Sequence, residues 1–394
     1  MSNVLNLVAP SFIGISYLSQ ALEMKNLLET YGAKFDLPEN FEENEDTFLE
    51  LLPQLIEAYP LYFTKCAADT EVESAFFSLI SMIQLLSQVD QIEETSKKLS
   101  NAIVADTTSE RLPLKSKLLS QQFSCYQPTL RSTYQLLVNV LKLVVQTGQL
   151  RHATLDIDQI SGWMDKWKCD VQEQRDIYRL LHEAFSAIQQ GEKAIQALVL
   201  LLKLYSENEG VEAKPDAHIC VISHIAHPNI FVMDHLLDLH PIRALDGQLS
   251  HELLQIFVNG DLNDYIEFYN NNVEFVEKLA VTHEENLRKM RLLTLASMAQ
   301  DCNEIEFSQL VDKLNLVTED LEPFVIEAIG SGLIKGKINQ PEGKILISST
   351  INRTFLDPQW LFIKNKLELW QKNLVIIQES MRKSHNFSVP IGGG

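Results

Sequence analysis

The chain has 394 residues, 45% of them apolar and 22% charged, with 53 acidic against 33 basic side chains and a formal net charge of −20. That length allows two or three domains or one elongated repeat array, and the composition is that of an ordinary folded protein. Residues 1–110 hold 18 Asp/Glu against 5 Lys/Arg, a negative field that argues against generic binding of phosphate backbones or anionic membranes by this region.

The opening "MSNVLNLVAPSFIGISYL" is apolar, but the first lysine is Lys25 and Pro10 interrupts the run, so no signal peptide is expected. "ENFEENEDTFLE" reads as a solvated loop leading into a helix. From about residue 14 to about 280 the pattern is helix, short break, helix. "AFFSLISMIQLLSQV" carries Phe76, Leu79, Ile80, Ile83 and Leu86 at helical spacing. Pro128 opens a helix with Leu136, Val140 and Val144 on one side and Gly148 as its stop. "DIDQISGWMDKWK" begins on an acidic cap and sets Ile160, Trp163 and Trp167 on one face. Residues 176–207 read as two helices joined at Gly191, an αα-hairpin. Shorter helices follow, broken at Pro228, Pro241 and Gly260. Hairpins of this kind cannot bury their apolar faces singly, so they stack as an α-solenoid.

The greasiest runs, "LLVNVLKLVV" and "IQALVLLLKLY", are short and contain a lysine, which predicts no transmembrane span. Cys66, Cys125, Cys169, Cys220 and Cys302 form no C-x-x-C pair. An odd, unpatterned set predicts reduced core thiols and a cytoplasmic location. The sequons at Asn352 and Asn386 are then chance matches.

After residue 285 the pattern changes. "ENLRKMRLLTLASMAQ" is an amphipathic helix with Leu292, Leu295 and Ala299 inward, and "NEIEFSQLVDKLNL" adds a short β-like step and a second helix. "TEDLEPFVIEAIGSG" is a third, with Thr318 as N-cap, Pro323 near its start and Gly330 and Gly332 at its end. "LIKGKINQPEGKILISST" is a β-hairpin about Gln340–Gly343. That order is a winged helix. Its third helix carries Glu319, Asp320, Glu322 and Glu327 and no basic residue, which argues against a sequence-specific DNA reader. Lys335, Lys337 and Lys344 on the wing suffice only for an incidental RNA contact. A protein–protein module is the better reading, with Ile345 and Ile347 of "KILIS" on an edge strand that pairs with a neighbour.

The last helical stretch places Trp360, Ile363, Leu367, Trp370, Leu374, Ile377 and Met381 at a 3,4 spacing kept for three heptads. This seam either meets partner helices or folds back on the winged helix of its own chain. The Gly-rich end is expected to be a disordered tail.

Catalytic motifs are weighed and set aside. His218, Cys220, His224, His227, His235 and His240 are zinc-ligand types, but their spacing fits no common zinc motif. "HELLQ" and "HEENL" miss the second imidazole of H-E-x-x-H at Gln255 and Leu287. No P-loop, G-x-G-x-x-G or G-x-S-x-G occurs. No catalytic residue, metal or cofactor is expected.

A helical array running into a winged helix, with a long helix after the wing, resembles the PCI family of scaffold subunits. Those serve the proteasome lid, the COP9 signalosome and eukaryotic translation-initiation factor three. "PSFIGISYLSQALEMKNLLETYGA", "FVMDHLLDLHPIRALDGQLSHELLQIFVNGDLNDYIEFYNNNVEFVEKL", "ENLRKMRLLTLASMA" and "NRTFLDPQWLFIKNKLELWQKNL" are similar to the initiation-factor branch over roughly residues 10 to 383. The "RTF…W" lead-in to the last helix is the most distinctive part. The MPN sister subunits use an H-x-H metal signature, and this chain has no H-x-H.

The resemblance implies an all-α fold with a small β-hairpin, an α-solenoid followed by a winged helix and a C-terminal helix. The expected parts are N-terminal repeats (1–170), the PCI helical part (171–284), the winged helix (285–350), a bundling helix (351–383) and the tail (384–394). It further implies a non-catalytic scaffold whose partners are other PCI and MPN subunits and, indirectly, the small ribosomal subunit, in support of initiator-tRNA and mRNA recruitment. Membranes and sequence-specific DNA are not among its expected partners. A signalosome or lid subunit is the alternative within the same architecture.

Overall fold

The computed structural model describes residues 16–36, 45–66, 68–86, 88–105, 111–126, 131–148, 156–279, 282–355 and 357–387. The chain divides into two compact units, Met1–Leu204 and Tyr205–Gly394.

Every regular element among the described residues of the first unit is a helix. It comprises α1 (Tyr17–Thr30), α2 (Glu45–Ala58), α3 (Pro60–Lys65), α4 (Asp69–Gln84), α5 (Val89–Ala105), α6 (Leu112–Cys125), α7 (Ser132–Thr147), α8 (Ile157–Trp167), α9 (Val171–Ala187) and α10 (Gly191–Lys203). Neighbouring helices pack in hairpins, with α6 on α7, α7 on α9 and α9 on α10. Phe76, Leu79, Ile80 and Ile83 of α4 are fully buried. In α7 burial extends beyond Leu136, Val140 and Val144 to Leu137, Val138, Leu141 and Leu143, because α5, α6 and α9 all pack on it. Gly148, at φ +62, ends α7 with its N–H on the Val144 carbonyl, a left-handed cap that glycine adopts without strain. Pro128 lies outside the described residues. In the α9–α10 hairpin the left-handed turn residue is Gln189, φ 61, and Gly191 is already helical. The boundary expected at 170/171 falls inside this unit, since α9 packs on both α7 and α10.

The second unit opens with a single 3₁₀ turn (Glu207–Glu209) and α11 (Gly210–Ala226), α12 (Asp234–Leu237), α13 (His240–Arg243), α14 (Leu249–Asn259), α15 (Leu262–Asn271) and α16 (Val273–Glu277). Then come α17 (His283–Asp301), β1 (Glu304–Glu306), α18 (Phe307–Leu314), α19 (Thr318–Gly330), β2 (Ile334–Asn339), β3 (Lys344–Thr350) and α20 (Asp357–Phe387). The order from α17 to β3 is the expected winged helix. Thr282 and Glu285 form a reciprocal capping box that starts its first helix. Val317 rather than Thr318 holds the N-cap position of α19, and Pro323 sits inside that helix. The last helix runs to Phe387, so residues 384–387, expected in the tail, are helical; the rest of the tail lies outside the described residues. Among the described residues no helix is long and apolar enough to cross a membrane.

The sheet corrects one expectation. Its antiparallel order is β1-β3-β2, so β3 is the central strand. Ile345 pairs with Ile305 on one side and Ile338 on the other and is 1% exposed. The N–H of Ile347 donates to the Asn303 carbonyl at 2.7 Å. Ile345 and Ile347 therefore cannot form a pairing edge, because β1 has already taken that side. Gly336 lies at a bulge in β2, where an added Cβ would stand 2.5 Å from the Leu346 carbonyl oxygen.

Candidate functional site

The chain leaves β3 under tight control. Thr350 Oγ1 reaches the carbonyls of Leu333 (3.3 Å) and Ala296 (3.4 Å), and the Ile351 N–H donates to Leu333 at 2.9 Å. Arg353, 5% exposed, then turns inward. Its Nη1 donates to the Gly260 carbonyl (3.0 Å) and Ser297 Oγ (2.9 Å), and its Nη2 to the carbonyls of Phe257 (2.8 Å) and Ile256 (3.4 Å). The guanidinium thus closes the C-terminal end of α14, where unpaired carbonyls and the helix dipole favour a cation. Burial lowers its pKa to about 10, so it stays charged at neutral pH. Two residues on, the Phe355 N–H donates to Asp234 Oδ2 at 3.0 Å, and the Phe355 ring meets Trp360 edge-on at 4.8 Å. The "RTF…W" stretch is an anchor that fixes how α20 departs.

What departs is uncovered. From Trp360 to Arg382 every side chain of α20 is exposed except Ile363, which is half-buried. Trp370, Leu374 and Met381 are 63%, 65% and 68% exposed, and Trp360, Leu367 and Ile377 are exposed as well. The seam does not fold back on the described residues of its own chain. Sequence reasoning also missed a second row, Phe362, Leu369 and Ile376, likewise exposed. These recur every seven residues on a different side of the helix from the first seam, and that period was the signal available. Roughly 31 residues at ~1.5 Å each make α20 about 46 Å long.

The remaining singled-out residues serve separate tasks. Lys289 of α17, 5% exposed, donates to the carbonyls of His224 (2.8 Å), Ile225 (2.9 Å) and His227 (2.7 Å), closing the end of α11 as Arg353 closes α14. Burial pulls its pKa down to about 7. His224, 1% exposed, hydrogen-bonds through Nδ1 to the Cys220 carbonyl at 2.8 Å, and burial lowers its pKa to about 4. Burial also raises the Cys220 thiol far above its ordinary value. His218 lies edge-on to Phe275 and His240 lies 3.5 Å from Glu207. His251 of "HELLQ" is 3.6 Å from Asp246, while His283 of "HEENL" stacks on Tyr269 at 3.7 Å. On α19, Glu319 and Asp320 are exposed, Glu327 pairs with Arg288 at 2.6 Å and Glu322 accepts from Gln340 at 3.2 Å. Lys344 sits between Glu304 and Glu306, 3.9 Å from each, leaving Lys335 and Lys337 as the exposed wing lysines.

Comparison with known proteins locates this architecture. The family model for the PCI domain matches residues 263–349, from α15 to the end of β3. Eukaryotic translation initiation factor 3 subunit M of Mus musculus is 33% identical over 373 residues, 94% of this chain and 98% of that protein. The Homo sapiens protein of the same name gives the same identity and coverage. That of Danio rerio is 32% identical over 374 residues, covering 95% of this chain and 98% of its own.

Proposed function

We propose a scaffold function for this chain from the premise that it belongs to the family of eukaryotic translation initiation factor 3 subunit M, a PCI-domain family. It acts as a non-catalytic subunit of the initiation factor complex in the cytoplasm. There it joins other PCI and MPN subunits and supports contact with the small ribosomal subunit for initiator-tRNA and mRNA recruitment. The observation that carries this reading is α20, a long helix with its apolar side chains in water and its base clamped by Arg353.

Trp360, Ile363, Leu367, Trp370, Leu374, Ile377 and Met381 form the partner seam, and Phe362, Leu369 and Ile376 form a second contact row. Two rows on different sides call for more than one covering helix, hence a bundle rather than a two-stranded pair. Each large apolar side chain buried there contributes ~1.5–3 kcal/mol before the cost of association. Extension of the winged-helix sheet by a neighbour would use the outer edge of β2, Ile334–Asn339, in place of β3.

The test is a tagged purification from cytosolic lysate on a sucrose gradient, with wild-type chain and a Trp370→Asp/Leu374→Asp variant. Wild type should sediment with the other initiation-factor subunits and small ribosomal subunits. The variant should run free of them while keeping its helical circular dichroism. Assembly of the variant at wild-type level would remove α20 from the interface. Recovery of wild type with signalosome or lid subunits, away from ribosomes, would keep the fold and overturn the function.

A further inference from the structure

In the first unit, the described residues leave another surface without a cover. α1 presents Glu23, Met24, Leu27 and Tyr31 at a spacing of three to four residues, one face of a helix. Opposite them α4 presents mostly small side chains, Ser74, Ala75 and Ser78, after Glu71. Long residues facing short ones leave a trough of about 520 Å³ between the two helices, with Tyr62 of α3 also lining it.

The lining has a definite chemistry. Leu27 is 50% exposed although it faces a concave surface. Half-buried Tyr31 meets the buried Tyr62 edge-to-face at 5.7 Å and is the ring the trough presents. Glu71 beside Tyr31, and Glu23 about two turns back along α1, are exposed carboxylates, and among the described residues no lysine or arginine lines the trough. Glu71 Oε2 accepts the Cys66 thiol at 2.9 Å, so the acid is held beside the two rings. The surrounding 110 residues carry 18 acids against 5 basic residues. A carboxylate beside a tyrosine ring attracts a cation, and arginine both stacks on such rings and bonds carboxylates in parallel.

Arg111 is the described cation next to Cys66, and it is committed to the Cys66 carbonyl at 2.7 Å and to Asp69 at 3.5 Å. Residues 1–15 contain no Lys or Arg, and residues 37–44 and 106–110 contain only acids among their charged side chains. We propose that the α1–α4 groove docks a segment of a partner protein that presents an arginine or lysine one turn from a large apolar residue. The cation lies beside Glu71 and against the Tyr31 ring, and the apolar side chain covers Leu27, one turn back along α1. This site is independent of α20 and stands whichever helices cover that seam.

The probe is a short fluorescein-labelled helical peptide with Arg and Leu one turn apart, and a twin with Glu for Arg. Binding to the full chain is read by fluorescence anisotropy. The Arg peptide should bind saturably and the Glu twin should not. Glu71→Gln should weaken binding by at least about ten-fold by removing the charge partner. Ser78→Trp keeps every charge but fills the trough and should weaken it equally. Ser74→Trp, at an exposed position, serves the same end should the first variant lose its circular dichroism. Glu57→Gln/Glu94→Gln, exposed acids outside the trough, should bind as wild type. The proposal is overturned if the Arg peptide fails to bind wild type or the twin binds equally well. It is equally overturned if a folded groove-filled variant binds normally, or if the distant acid pair matters as much, since binding would then be held by net charge alone.

Discussion

Two long helices of the same unit, α17 and α20, are both rich in leucine and are treated in opposite ways. α17 meets α15, α18, β1 and β3, and its Met290, Leu293, Leu295 and Ala296 are essentially inaccessible. α20 leaves Leu367, Leu369, Trp370 and Leu374 more than half exposed. Apolar content therefore does not decide burial here; the available covering surface does. The side chains of α17 hold the unit together. Those of α20 add little to folding, so their burial energy is available for association.

The sharpest test of that contrast is a pair of identical truncations. Leu293→Ala opens a cavity in a filled core and should destabilise the protein by about 2–5 kcal/mol in urea unfolding. Leu374→Ala removes the same atoms from water-exposed surface and should change stability by less than ~0.5 kcal/mol. A loss above about 1 kcal/mol for Leu374→Ala would break the comparison, because α20 would then be covered by its own chain.

A second test addresses the junction between the two helices. Arg353 bonds Ser297 of α17 and three carbonyls at the end of α14, just before α20 begins. Arg353→Met keeps much of the bulk but leaves those carbonyls without their charged donor, at a cost of about 2–3 kcal/mol. Amide hydrogen exchange should rise around residues 256–260 in that variant. Arg353→Lys should rescue only part of the loss, since one ammonium cannot reproduce a planar fork reaching two groups of acceptors. Full rescue by lysine would show that charge alone holds the junction.

The sequence pattern made part of this legible. The 3,4 spacing from Trp360 to Met381 marked the seam, and the hairpin turn at Gln340–Gly343 marked the wing, because both signals are local. "RTF" stood out as a motif, yet its purpose did not, since the carbonyl acceptors of Arg353 lie more than ninety residues upstream. β3 was misplaced for the same reason. Its second partner, β1, is three residues long and separated from it by two helices, and so short a strand has no readable alternation. The second row at Phe362, Leu369 and Ile376 has one apolar position per heptad, a weaker signal than the two per heptad of the first seam.

The smallest expected effect tests the buried side of the contrast through protons. His224 of α11 is enclosed beside Lys289 of α17, and its Nδ1–H donates to the Cys220 carbonyl. Burial holds the folded imidazole neutral down to about pH 4, whereas an unfolded histidine titrates near 6.5. Between those values the unfolded chain binds a proton that the folded chain refuses, so stability is full above about pH 6.5 and falls as pH drops toward 4. From pH 7.5 to 5 the loss should be about 1–2 kcal/mol. Lys289 acts in the same direction: with its pKa lowered to about 7, it loses its proton first in the folded chain and adds slope above about pH 6.5, a contribution shared by wild type and the His224 variant. Protonation of carboxylates is common to wild type and a His224→Gln variant, so the difference between their urea unfolding profiles isolates the imidazole. Wild type should lose that much more than the variant on acidification. Parallel profiles would mean that His224 takes up its proton in the folded chain, and that the α11–α17 junction is open to water in the way α20 is.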